Sequence, residues 1–239
     1  MVMLSSTSEG ATRLQAVKAR IAKAAEHAGR KPDSIALLAV SKGQAASAVA
    51  ELAALGLTDF GENYLQEALQ KIAALRTPLP QLSWHFIGQL QSNKTRAVAE
   101  NFAWVHTVDR LKIAERLSEQ RPFHAAPLQL CIQVKLAEEQ SKGGVAPTDL
   151  PALLQAIATL PRLRLRGLMA IPPAESTEAA QRRWFSELRG LFAAARSEHP
   201  QLDTLSMGMS GDLEAAILEG STMVRIGTAL FGERLQSSA

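Results

Sequence analysis

The stretch IALLAVSKGQ, residues 35–44, runs six apolar residues into a serine and then a lysine. A short unbroken apolar run reads as a strand buried on both faces, and such strands belong to parallel sheets covered by helices. Working outward, seven more runs of this kind follow: LTDFGEN (57–63), SWHFIGQL (83–90), AWVHTVD (103–109), LQLCIQVK (128–135), LRLRGLMAI (163–171), TLSMGMS (204–210) and STMVRIGTALFG (221–232). Helical stretches are predicted between them, near 45–55, 63–75, 93–101, 110–120, 148–159, 177–197 and 211–219. In the longest of these, Trp184, Leu188, Leu191, Phe192 and Ala195 form one apolar stripe behind Thr177, the expected cap. A leading helix carries Leu14, Val17, Ile21 and Ala25 at helical spacing and closes at Gly29 and Pro32. Eight strands with seven crossovers predict an α/β fold, a single (β/α)8 TIM-type barrel with an extra N-terminal helix, spanning residues 1–239 as one domain. An open doubly wound sheet is the alternative, and the strand count argues against it.

Composition narrows the class. The chain has 239 residues, 46% of them hydrophobic, enough for a full core. Its formal net charge of +3, spread along the chain, predicts no nucleic-acid partner. One cysteine, Cys131, excludes an internal disulfide and fits a reducing cytoplasm. The start, MVMLSSTSEG, lacks the basic and apolar parts of a signal peptide, and no run approaches a bilayer span, so no membrane partner is expected. No His, Cys or Asp cluster has metal-ligand spacing. Cys131 reads as core filler, and Arg162, Arg164 and Arg166, alternating with leucine, as the polar rim face of a strand.

In such a barrel, functional groups sit at the C-terminal strand ends and in the loops beyond them. The first strand ends at Ser41-Lys42, the second at Gly61-Glu62-Asn63-Tyr64, the third at Gly88-Gln89. The seventh ends in MSGD (209–212), which runs straight into a helix and offers backbone N–H groups and the Ser210 hydroxyl to an anion. The eighth carries Arg225, then Gly227 and Thr228, a glycine for close approach and another hydroxyl. Loops seven and eight are a recurrent phosphate site in barrels. Ser and Asp also serve as ordinary helix caps, and glycines as turns. Strand one neighbours strand eight on closure, which sets Lys42 beside Arg225 and this anion site. A second cation and apolar surroundings disfavour an ammonium ion, and a neutral amine attacks an aldehyde to give a Schiff base. A phosphorylated aldehyde of this kind is pyridoxal 5′-phosphate (PLP). An arginine at its pyridine nitrogen would keep the ring unprotonated and weaken it as an electron sink. A snorkelling lysine at the rim and an arginine paired with a carboxylate at the mouth are the plain alternatives.

The runs AVSK, FGENYLQE, WHFIGQLQSNK, LRGLMAI, LSMGMSGDLEAAI and STMVRIGTALFG resemble the pyridoxal phosphate homeostasis protein family, which is similar to the barrel domain of bacterial alanine racemase, a fold-type III PLP protein. The resemblance spans nearly the whole chain, to Gly232. It implies that Lys42 is the Schiff-base lysine, that Ser210, Gly227 and Thr228 hold the phosphate, that Arg225 faces the pyridine nitrogen and that Asn63 lies close to the cofactor. It further implies that His85 lines the pocket and that Lys142 is a second lysine near the mouth that accepts PLP transiently. Many relatives carry a lysine two residues after the first, where this chain has Gln44.

Two functions compete on that basis. A PLP-dependent amino-acid racemase needs two bases, the second a tyrosine from a further domain of a partner subunit. Here the only tyrosine is Tyr64, read as a partly buried packing residue. The expectation is therefore a non-catalytic PLP-binding protein of cofactor homeostasis that buffers or delivers PLP, with apo PLP-dependent enzymes as partners and a monomeric state. A lysine-dependent aldolase is a third reading, with Glu62 or Asp109 as its acid/base group.

Overall fold

The computed structural model describes residues 3–137, 143–175 and 177–232. Its eight strands are β1 (Ala36–Val40), β2 (Asp59–Glu62), β3 (Ser83–Phe86), β4 (Trp104–Val108), β5 (Leu128–Gln133), β6 (Leu163–Met169), β7 (Thr204–Ser206) and β8 (Met223–Ile226). They close into a barrel in chain order, all parallel, with β1 pairing β8 through Leu38 and Arg225. The helices are α1 (Met3–His27), α2 (Ala46–Ala54), α3 (Leu65–Leu75), α4 (Thr95–Asn101), α5 (Leu111–Gln120), α6 (Leu150–Ala158), α7 (Glu178–Glu198), α8 (Leu213–Leu218) and α9 (Thr228–Phe231). No helix among the described residues is long and apolar enough to cross a membrane.

Each apolar run became a strand because both of its faces are buried, one against the helices and one in the lumen. Trp84 and Phe86 of β3 meet Phe60 and Phe102, while His85 between them faces the other way, onto His106. Thr177 caps α7 by accepting from Ala180 N, and Phe185, Leu188, Phe192 and Ala195 form its buried stripe. Phe185, one position on from the expected Trp184, is the residue that enters the core, and the Trp184 indole instead donates to Glu175.

Two expectations need correction. The run 221–232 is not one strand: β8 stops at Ile226, and Thr228 opens the short α9. Tyr64 is not partly buried but 59% exposed, at the start of α3. A polar cluster sits toward the N-terminal mouth. Arg166 lies over the Trp104 ring, binds Asp203 at 2.8 and 2.6 Å and donates to Gln129.

Candidate functional site

At the C-terminal mouth lies a cavity of about 290 Å³. Lys42, Asn63, Ser210, Arg225, Gly227 and Thr228 all line it, together with Gln44. Strand ends far apart in sequence thus converge as the barrel closes.

The backbone on both sides of Lys42 is held from behind. Ser41 Oγ donates to Glu62 Oε1 at 2.5 Å, and Lys71 Nζ of α3 donates to the Ser41 carbonyl at 2.6 Å. Lys71 also bridges Glu62 and Glu67 at 2.7 and 2.5 Å, and Glu67 accepts from Gly43 N at 2.6 Å. Glu67 and Lys71 are one helical turn apart, so a single turn of α3 reaches both neighbours of Lys42. Burial raises the Glu62 carboxyl above its ordinary value against the pull of Lys71 and Ser41, and its Oε2 has no hydrogen-bond partner among the described residues.

Asn63 follows β2 directly. Its Oδ1 is buried and lacks a hydrogen-bond partner among the described residues, although the side chain borders the cavity. Such an orphan is costly unless a ligand meets it. The Asn63 backbone fits only because residue 88 is glycine: a Cβ there would sit 2.0 Å from the Asn63 carbonyl oxygen.

The two anion-facing loops are joined. Ala229 N reaches Ser210 Oγ at 3.5 Å, and Met209 N is taken by Asp212 Oδ1. Gly208 turns the chain at φ 96°, a conformation open to glycine, and a Cβ there would meet Ala216 at 2.6 Å. From α1, Arg20 binds the Ser210 carbonyl at 3.0 Å and Glu214 at 2.6 and 2.8 Å, tying the leading helix to this loop.

Arg225 is buried, and among the described residues it does not pair with a carboxylate at the mouth. Its Nη1 donates to the Ser206 carbonyl at 2.6 Å and to Ser206 Oγ at 2.9 Å, and its Nη2 to the Ala170 carbonyl at 2.9 Å. Burial lowers its pKa to about 10, with Asp212 and Cys131 opposing, so it stays charged at neutral pH. Burial also pushes the Cys131 thiol up to about 12, which leaves it an inert core group.

Other expected site residues lie elsewhere. His85 does not line the cavity: it is fully buried in the lumen, 3.0 Å from both Asp59 and His106. Its position in β3, deeper than the strand end, is the reason. Glu62 faces Lys71 rather than the cavity, and Asp109 binds Arg110 at 2.7 Å. Tyr64 is absent from the lining. Lys142 lies outside the described residues. Sequence reasoning missed Lys71, Glu67, Arg20 and Ser206, and only the Glu67–Lys71 spacing carried a signal for any of them; it read His106 as a packed or rim residue, and His106 is buried.

Among the described residues, the cavity therefore holds one primary amine, one buried guanidinium, two hydroxyls beside glycine turns and one amide oxygen without a hydrogen-bond partner. This set can hold an anion and link reversibly to a carbonyl compound, and it fits a phosphorylated aromatic aldehyde. No group of three or more metal-ligating side chains occurs among the described residues.

Comparison with known proteins points the same way. Residues 12–235 match the family model for the alanine racemase N-terminal domain. The chain is 62% identical over 218 residues to a pyridoxal phosphate homeostasis protein of Pseudomonas aeruginosa, covering 91% of this chain and 93% of that one. It is 52% identical over 222 residues to its namesake in Escherichia coli, covering 92% and 95%. PipY of Synechococcus elongatus, solved with PLP bound, matches with a TM-score of 0.78 at 42% identity, covering 89% of this chain and all of that one.

Proposed function

Starting from a chain that belongs to the alanine racemase N-terminal domain family, and within it to the pyridoxal phosphate homeostasis proteins, we propose that it binds PLP at the C-terminal mouth of its barrel and holds it reversibly without turning over a substrate. When bound, PLP supplies an aldehyde carbon for a covalent link and a ring that absorbs near the visible. Lys42 supplies the amine, and forming the C=N bond releases one water. Ser210, Gly227 and Thr228 bind the phosphate, Asn63 offers its free amide oxygen, and Arg225 donates toward the ring nitrogen.

One observation carries the non-catalytic reading. Among the described residues that line the cavity, Lys42 is the only one able to take a proton from carbon; the other ionisable group, Arg225, holds its protons at neutral pH. Racemisation needs a base on each face of the substrate carbon, and Tyr64 is not at the cavity. The same amine suits release, since a link formed by loss of water is reversed by water. We extend the reading to delivery: apo PLP-dependent enzymes are the acceptors, and Lys142 takes PLP transiently on the way out.

The test is the absorbance spectrum of the purified protein beside Lys42→Ala, before and after L- or D-alanine. The wild type shows a yellow band that the variant lacks, and alanine of one hand keeps its hand. Interconversion at a useful rate would establish a racemase instead. A protein that cannot be loaded with PLP would contradict both and return attention to aldolase-like chemistry.

A further inference from the structure

Polar groups inside the barrel line up from one mouth to the other. Asp59 opens β2 at the N-terminal mouth, where its side chain is 41% exposed. Its Oδ1 lies 3.0 Å from His85 Nε2, His85 Nδ1 lies 3.0 Å from His106 Nε2, and His106 Nδ1 lies 3.0 Å from Ser206 Oγ. Arg225 Nη1 then reaches Ser206 Oγ at 2.9 Å, and Arg225 lines the cavity at the opposite mouth. The chain crosses the lumen from β2 and β3, through β4, to β7 and β8.

Its two ends decide its direction. A guanidinium only donates, and an ionised carboxylate only accepts. Burial opposes the Asp59 charge, but hydrogen bonds from His85 and Thr58 outweigh it and hold the carboxyl below its ordinary value. Ser206 therefore accepts from Arg225 and gives its own hydrogen to His106 Nδ1. His106 donates from Nε2 to His85 Nδ1, and His85 donates from Nε2 to Asp59. Each ring gives one hydrogen and receives one, so both are neutral and share a tautomer. The reverse direction would set a bare His85 Nε2 against an ionised oxygen. The His85 ring plane is fixed by stacking on Trp104, with centroids 5.3 Å apart and planes 7° from parallel.

The groups that face these rings favour the neutral state. Asp59 and Ser83 face His85 at Nε2; the chain partners on the other side are His106, Ser206 and Arg225. Burial lowers both histidines; Arg225, and a charge on His85 if it took one, further oppose a charge on His106, while Asp59 pulls His85 back up in part.

We propose that Asp59, His85, His106 and Ser206 are positioning residues: they hold Arg225 as a one-way donor at the cavity, so that a ring nitrogen bound there stays unprotonated. The proposal rests on the PLP reading above. Ser206 takes both Nη1 hydrogens of Arg225 and Ala170 takes one from Nη2. Among the described residues nothing takes the second Nη2 hydrogen or the Nε hydrogen, and these are the ones left for a ligand. An arginine held in this way cannot swing across the mouth to the phosphate, and its remaining hydrogens reach a ring nitrogen only as hydrogen-bond donors.

Two measurements test it. Nitrogen-resolved NMR of the imidazole rings in the PLP-free protein reads the tautomers. Both rings are expected to carry hydrogen on Nε2 and to stay neutral from about pH 8 to about pH 5.5, across the ordinary histidine range. A ring with hydrogen on Nδ1, or one that charges in that window, overturns the chain whether or not PLP binds. In the PLP-loaded protein, Ser206→Ala leaves Lys42 and the phosphate loops in place. It is expected to keep the covalent band and shift that band's pH midpoint by about one unit, the scale of one charge-assisted hydrogen bond. Asp59→Ala shifts it the same way by less. A midpoint that Ser206→Ala does not move overturns the positioning role. A wild-type protein that never takes up PLP refutes the cofactor reading and the ring-nitrogen role with it, and the NMR result still decides the one-way chain.

Discussion

The cluster behind Lys42 and the chain behind Arg225 each have a buried centre, and each steadies one of two basic residues at the same cavity. They do it by opposite means. Glu62, Lys71 and Glu67 grip the backbone around Lys42 with formal charges and leave Glu62 Oε2 without a hydrogen bond. Asp59, His85, His106 and Ser206 hold Arg225 through neutral rings and a hydroxyl, with each hydrogen in the chain assigned an acceptor. The first arrangement fixes the backbone on both sides of Lys42, at the Ser41 carbonyl and the Gly43 N–H. The second commits the Arg225 side chain. A nucleophile that must form and break a bond is anchored through its backbone, and a group that only donates is anchored through its own head.

Breaking the charged cluster is expected to have the largest effect. Lys71→Met strands Glu62 as a buried carboxylate and is expected to cost about 3–5 kcal/mol in urea denaturation, the usual penalty for removing one partner of a buried pair. Adding Glu62→Gln to Lys71→Met recovers much of that loss. A single variant within about 0.5 kcal/mol of wild type would mean that the cluster is not a coupled pair.

The neutral chain is expected to answer to pH instead. Its histidines stay neutral in the fold but charge in the unfolded chain below the ordinary value of about 6.5, so the unfolded state takes up more protons as pH falls. Stability is therefore fully present above that value and lost below it, by up to about 1.4 kcal/mol for a histidine that stays neutral in the fold throughout, between about pH 7.5 and about pH 5.5. Glu62 works the other way, because its raised carboxyl binds a proton in the fold first. Comparing wild type with His106→Gln across that window isolates the histidine share, and a variant with an unchanged slope would contradict neutral burial.

Asn63 separates folding from binding more finely. Its Oδ1 has no hydrogen-bond partner to lose among the described residues, so Asn63→Ala should change stability by less than about 0.5 kcal/mol. PLP affinity should fall about tenfold, the worth of one hydrogen bond. A large loss of stability with unchanged affinity would reverse that assignment. The smallest effect is expected from Gln44→Lys. It places a second amine at the cavity lining and should leave stability within about 0.5 kcal/mol while adding a second PLP attachment point, read by mass spectrometry after borohydride reduction.

The same contrast explains what the sequence revealed. Strands buried on both faces announce themselves as apolar runs, and closure in chain order places their ends at one mouth, so Lys42, Asn63, Ser210, Arg225, Gly227 and Thr228 were legible as a set. His85 was set at the pocket by the resemblance alone; the residues themselves read as packed or rim histidines, and both are buried, but a run such as SWHFIGQL shows neither the depth of its histidine nor its facing partner, His106, 21 residues away on the next strand. Lys71 was silent because a lysine on a helix is ordinarily solvated, and only the β1–β2 register brings Ser41 and Glu62 within its reach. The β8 boundary was missed because apolar residues continue to Phe231, while Gly227 turns the backbone out of the strand at φ −111°, ψ −84°.

The central claim, a reversible PLP carrier built on Lys42, is tested most directly by loading the protein with PLP, reducing it with borohydride and mapping the modified peptide. The account predicts a pyridoxyl group on Lys42 that disappears in Lys42→Ala, with full return of PLP to solution when the unreduced protein is diluted beside an apo-enzyme acceptor. Modification at other lysines with Lys42 untouched, or PLP that never leaves the unreduced protein, would contradict it.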